Sequence, residues 1–181
     1  MKLKFLFSLL LGLFLQTTGA FAYNNYPELD KFASIAAMRS VHVNCPTDEE
    51  WQTDPLHGVA WGYVDYVRYS DHMTIDPEIC IGALAVLNHD TTVPRWQRAA
   101  AILVITHEAY HLRNWWGAGL ENEVECKAIR HIYVAAQLLG LSVEEAKELM
   151  PYAIALHWGL VAKYRQYYKA DCIVPNLRNY A

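Results

Sequence analysis

The sequence lacks an excess of positive charge. Its 15 lysine and arginine residues are outnumbered by 19 aspartate and glutamate residues, and the formal net charge is −4 at pH 7. Proteins that bind nucleic acid usually place cationic side chains against phosphates, so this balance argues against a nucleic-acid partner. Internal repeats and low-complexity tracts are also absent, so nothing in the chain indicates a repeat array.

Long apolar runs are absent beyond the first 22 residues. Residues 5–15 are apolar, follow Lys2 and Lys4, and precede the small-residue sequence A-F-A at positions 20–22. This order is typical of a secretory signal peptide, and the run is too short to span a bilayer comfortably. We predict that residues 1–22 are a signal peptide and that residues 23–181 form one domain, secreted or periplasmic, without a stable membrane span.

The sequence has four cysteines but no C-x-x-C pair. The four are Cys45, Cys80, Cys126 and Cys172. Zinc sites built from cysteine usually contain such pairs, so a cysteine-ligated metal is disfavoured. An even number of cysteines in an exported protein predicts two disulfides. Of the three connectivities that four cysteines allow, we favour Cys45–Cys80 and Cys126–Cys172.

One H-E-x-x-H motif lies in the second half of a predicted helix. His107 and His111 are four residues apart, so both project from the same helix face, where two imidazoles can bind one zinc ion. Glu108 lies beside that face, where it can accept a proton from water activated by the metal. The alternative is a helix that happens to carry two half-buried histidines. Pro94 and Gly117 are typical helix boundaries, and this context favours the metal site.

A catalytic zinc ion needs a third protein ligand and an open position. A third histidine in the metzincin pattern is excluded, because Asn114 and Gly117 stand where that pattern requires glycine and histidine. The remaining candidates are glutamates in the next predicted helix. Glu125 lies on the predicted buried face of that helix and is the favoured ligand. Glu121 lies one turn earlier on the same face and is the alternative, whereas Glu123 faces away.

The remaining pattern predicts a mainly α fold (α+β) around the motif. A strand at 60–68 and a return strand at 73–75 are predicted to form a small antiparallel β element before the motif helix. A proline at 151 separates the last two predicted helices. The predicted helices other than the motif helix cover residues 26–40, 77–87, 120–139, 142–151 and 152–168, with a short turn at 47–50.

The residues around the motif resemble a known group of proteins. H-E-A-Y-H-L at 107–112 followed by E-N-E-V-E-C-K-A at 121–128 is similar to small bacterial secreted or membrane-tethered zincin-like proteins. In that group H-E-x-x-H-L precedes a glycine-containing loop and an acidic stretch ending in E-C-x-A. The resemblance covers roughly residues 60–175. It implies a minimal zincin-like, gluzincin-type metallopeptidase domain, with His107, His111 and a downstream glutamate as ligands, and it implies no particular substrate.

These patterns predict an exported zinc-dependent metallopeptidase that hydrolyses peptide or related amide bonds in a peptide or protein substrate. Glu108 is the predicted general base. A second electrophile usually stabilises the oxyanion, and candidates in the last predicted helix are His157, Tyr164 and Tyr168. The alternative is a non-catalytic binding module of the cell envelope that keeps the zincin scaffold. The presence of Glu108 argues against it, because a module that only binds does not need the base.

Overall fold

The computed structural model describes residues 26–64, 71–113, 121–164 and 172. These residues form six helices and one small sheet, which confirms the predicted mainly α class with a minor β element. The predicted signal peptide at 1–22 lies outside the described residues. Among the described helices, none combines the length and apolar character needed to cross a membrane.

The order of elements alternates short strands with helices in the first half of the chain and is purely helical in the second. The helices are α1 (Pro27–Ala37), α2 (Asp48–Gln52), α3 (Pro77–Leu87), α4 (Arg95–Arg113), α5 (Glu121–Leu138) and α6 (Val143–Lys163). The strands are β1 (His42–Asn44), β2 (Gly62–Val64) and β3 (His72–Ile75).

Helix α4 forms the centre of the fold. Every residue from Gln97 to Leu112 is buried, and the helix contacts α1, α3, α5, α6, β2 and β3. A helix buried on all sides must be covered by neighbours on all sides, and the apolar run before the motif allows this. The H-E-x-x-H residues therefore lie in the interior, where each polar group needs a partner.

The three strands form a mixed sheet in the order β1-β3-β2. Strands β2 and β3 are antiparallel, with Tyr63 opposite Thr74, which confirms the predicted antiparallel element. Strand β1 adds in parallel, with Val43 opposite Met73, and it was not predicted. Three residues are too few to show an alternating pattern, so this strand depends on its neighbour in space rather than on its sequence.

The prediction of two separate helices at 142–151 and 152–168 is wrong. Helix α6 continues through Pro151, where two helices had been predicted. The proline lacks an N–H, which removes one helical hydrogen bond. Met150 before it and Ala153 after it are both buried, so one continuous apolar face compensates for the missing bond. A capping box of Ser142 and Glu145 begins this helix.

Both predicted disulfides are present. Cys45 after β1 is bonded to Cys80 in α3, and Cys126 in α5 is bonded to Cys172. The first bond joins the sheet region to a helix that packs on α4. The second ties residue 172 to the helix that follows the motif. Two disulfides indicate that the protein folds in an oxidising environment.

The contact between α3 and α4 depends on Gly82. A Cβ atom at this position would lie 2.5 Å from the carbonyl oxygen of Gln97 and 3.1 Å from the Cβ of Ala101. The carbonyl belongs to the backbone, so the two helices would have to separate. We predict that Gly82→Ala lowers the free energy of unfolding by about 1–3 kcal/mol, as overpacking does, measured by urea denaturation.

Gly159 offers a matched control for that substitution. It also lies inside a helix, but apart from its chain neighbours and the backbone of its own helix, no atom of the described residues lies within 4 Å of an added Cβ. Gly159→Ala should leave stability unchanged or raise it by roughly 0.5–1 kcal/mol, because alanine favours the helix. Equal effects of the two substitutions would contradict the close α3–α4 contact.

Candidate metal centre

Two ring nitrogens on α4 and one carboxylate on α5 converge at the same point. The Nε2 atoms of His107 and His111 lie 2.9 Å apart. Oε2 of Glu121 lies 3.2 Å from Nε2 of His107 and 3.4 Å from Nε2 of His111. The three atoms form a nearly regular triangle, so one cation at its centre can reach all of them.

The size of this triangle suits a small divalent ion. In a tetrahedral zinc site with bonds of about 2.1 Å, neighbouring ligand atoms lie about 3.4 Å apart. The observed edges of 2.9, 3.2 and 3.4 Å are close to that spacing. Two imidazoles and one carboxylate are also a donor set found at catalytic zinc ions. The side chain of Glu121 is 41% exposed, so the cluster opens towards solvent on that side.

Glu125 lies behind the cluster rather than in it. Its Oε2 accepts a hydrogen bond from Nδ1 of His107 at 2.8 Å, which is the ring nitrogen that points away from Glu121. The sequence pattern favours Glu125 as the third ligand, whereas this geometry favours Glu121, the alternative. Both residues share one face of α5, and only the depth of each side chain relative to α4 distinguishes their positions.

The hydrogen bond to Glu125 determines the protonation of His107. A carboxylate only accepts hydrogen bonds, so the proton must be on Nδ1 of His107. The lone pair of the neutral ring is then on Nε2, which faces Glu121 and His111. Metal-binding histidines are commonly oriented in this way by a carboxylate on the other nitrogen. Glu125 therefore prepares His107 to bind a cation.

The electrostatics of the cluster also favour a cation. Burial acts to lower the pKa of His107, but hydrogen bonds with Glu121 and Glu125 outweigh it and raise that pKa to about 10. Hydrogen bonds with His107 and His111 hold the pKa of Glu121 well below its usual range. At Glu125, burial acts to raise the pKa, but hydrogen bonds with His107 and His157 outweigh it and lower that pKa. A metal ion in this cluster would take the place of the extra proton on His107.

Glu108 is buried next to the two histidines. Burial raises the pKa of its carboxyl group, while the nearby His107 and His111 act in the opposite direction. Strand β2 approaches it closely, since a Cβ atom on Gly62 would lie 3.2 Å from Cγ of Glu108. A buried carboxylate with a raised pKa is a stronger base than an exposed one, which suits the predicted proton acceptor.

The three predicted oxyanion stabilisers have different positions. His157 is 1% exposed, and its Nδ1 donates to Oε1 of Glu125 at 2.9 Å, so it lies on the side of the cluster away from Glu121. Tyr164 follows the last residue of α6, and Nζ of Lys163 lies 4.9 Å from its ring centre. Tyr168 lies outside the described residues. The link between His157 and Glu125 had no signal in the sequence, because the two residues are far apart along the chain.

Comparison with known proteins adds no identification. The chain matches no protein-family model, no curated protein and no solved structure.

The ligand assignment can be tested with three isosteric substitutions in one stretch of α5. We predict that Glu121→Gln weakens zinc binding by more than about 100-fold, because a ligand is lost. Glu125→Gln should weaken it by about 10–100-fold, as is usual for groups that orient a ligand. Dissociation constants would be measured by competition with a chromophoric chelator.

Glu123 provides the control for charge. It is exposed on the same turn of the helix, so Glu123→Gln removes the same charge without touching the cluster and should leave the dissociation constant unchanged. A larger loss in Glu125→Gln than in Glu121→Gln would reverse the assignment and restore Glu125 as the ligand.

Proposed function

We propose that this protein is an exported zinc-dependent metallopeptidase that hydrolyses peptide or related amide bonds. The observation that carries the proposal is the convergence of His107, His111 and Glu121 beside the buried carboxylate of Glu108. Three protein ligands and an open position distinguish catalytic zinc sites from structural ones, which usually have four protein ligands. The two disulfides support export to an oxidising compartment.

In the proposed hydrolysis, the metal ligands and the general base have separate roles. Zinc, when bound, supplies a Lewis acid that polarises a carbonyl group and makes a water molecule acidic near neutral pH. His107 and His111 would hold the ion through Nε2, and Glu121 would contribute one negative charge, so that the site would keep a net positive charge. Glu108 takes the proton of the attacking water and passes it to the leaving amine.

The sheet offers a surface for an extended substrate. Strand β2 is at one edge of the sheet, and within the described residues it pairs only with β3. An extended peptide can add to such an edge through main-chain hydrogen bonds. Gly62 at the start of β2 lies against Glu108, so a peptide bound at this edge would lie beside the proposed base. This arrangement supports a peptide substrate over a small soluble amide.

The role of Glu108 gives the direct test of the proposal. We predict that Glu108→Gln binds zinc with unchanged stoichiometry but hydrolyses peptides about 100–10,000-fold more slowly, because this is the usual contribution of a general base to the rate. Zinc content would be measured by elemental analysis, and hydrolysis by mass spectrometry of a mixed peptide library that includes peptidoglycan-derived peptides.

Glu123→Gln is the control here as well, since it removes an exposed carboxylate without approaching the cluster. It should keep full zinc content and full hydrolysis. Retained turnover in Glu108→Gln would remove Glu108 from the base role. Zinc binding by the wild type without hydrolysis of any peptide in the library would favour the alternative, a zinc-stabilised binding module of the cell envelope.

A further inference from the structure

One buried histidine lies outside the H-E-x-x-H motif. His157 in α6 is 1% exposed, and its Nδ1 lies 2.9 Å from Oε1 of Glu125. Its ring also packs edge-on against Trp158. Within the described part of the chain, the other nitrogen of His157, Nε2, is buried without a hydrogen-bond partner. The hydrogen bond to Glu125 is therefore the polar contact that the structure provides for this side chain.

The carboxylate of Glu125 bridges two imidazoles on two different helices. Its Oε2 accepts from His107 on α4, and its Oε1 accepts from His157 on α6. Glu125 itself is 2% exposed, so water cannot readily replace either partner. A buried carboxylate oxygen left without a donor is costly, and the group would rotate or take up a proton to avoid that cost. The hydrogen bond from His157 therefore stabilises the observed orientation of the Glu125 carboxylate.

The orientation of Glu125 matters because His107 depends on it. If the carboxylate rotated or became protonated, Nδ1 of His107 would lose its acceptor, and the ring could carry its proton on Nε2 instead. A ring with its proton on Nε2 cannot donate a lone pair to a metal from that atom. The hydrogen bonds from His157 to Glu125 and from His107 to Glu125 therefore determine whether Nε2 of His107 has a lone pair for the metal.

We infer that His157 is a positioning residue of the metal centre, which holds Glu125 so that His107 keeps its Nε2 lone pair directed at the metal. This inference rests on the proposed zinc site and assigns to α6 a part in it. The same position argues against a direct role of His157 in stabilising an oxyanion, since the ring lies on the Nδ1 side of His107.

The test compares two replacements of His157. His157→Leu keeps a side chain in the core but removes the hydrogen-bond donor. We expect it to weaken zinc binding about tenfold, the lower end of the range for groups that orient metal ligands through hydrogen bonds. His157→Asn carries an amide N–H in the place of Nδ1, and it should restore the dissociation constant to within about threefold of the wild type. Equal zinc affinity of the wild type and His157→Leu would overturn the inference.

A double-mutant cycle separates positioning from general damage to the fold. If His157 acts through Glu125, His157→Leu should have no further effect on zinc affinity in a protein that already carries Glu125→Gln. A purely structural role would give additive losses. Leu149→Ala is the matched control for a core defect in α6, because Leu149 is also buried but lies two helical turns from His157; it should lower stability and leave zinc affinity unchanged.

A measurement on the wild type covers the case in which His157→Leu does not fold. Nitrogen-15 NMR of the ring nitrogens should show both His107 and His157 with a proton on Nδ1 in the zinc-bound protein. A proton on Nε2 of His157 and none on Nδ1 would overturn the inference without any variant. Failure of the wild type to bind zinc would be a different result, because it would refute the proposed function itself.

Discussion

The carboxylate of Glu125 is the group on which the arrangement of the candidate centre depends. It lies in the interior between α4, α5 and α6 and accepts one hydrogen bond from His107 and one from His157. A charge in this position is tolerated only because both oxygens have donors. The three helices that carry these residues are therefore joined by polar contacts at the same place where their apolar faces meet.

This constraint follows from the burial of α4. A helix that contacts six other elements leaves no exposed face for a histidine or a glutamate, so the motif residues must find partners inside the protein. Helix α5 supplies two acids one turn apart. Glu121 faces the Nε2 atoms and solvent, and Glu125 faces Nδ1 and the core. The Cys126–Cys172 bond begins at the next residue of α5 and restrains that helix where it carries the site.

Local signals were sufficient for much of the fold. Asp76 before Pro77 marks the start of α3, and the predicted helix at 77–87 has the observed bounds because cap and proline act on adjacent residues. Two features were not predictable in this way. Strand β1 exists because β3 pairs with it, and α6 continues past Pro151 because the residues on either side are buried in the same core. Both depend on neighbours that are distant in sequence.

The sequence alone determined that two imidazoles one helical turn apart, an adjacent carboxylate and a following acidic helix belong to one region, because these relations are set by the period of the helix. The tertiary structure alone decided which nitrogen each acid faces. Glu121 and Glu125 are equivalent in helical pattern, and the depth at which α5 packs on α4 separates a residue at the cluster from one behind it. The same packing brought His157 to Glu125, a contact between α5 and α6 that no periodicity along the chain encodes.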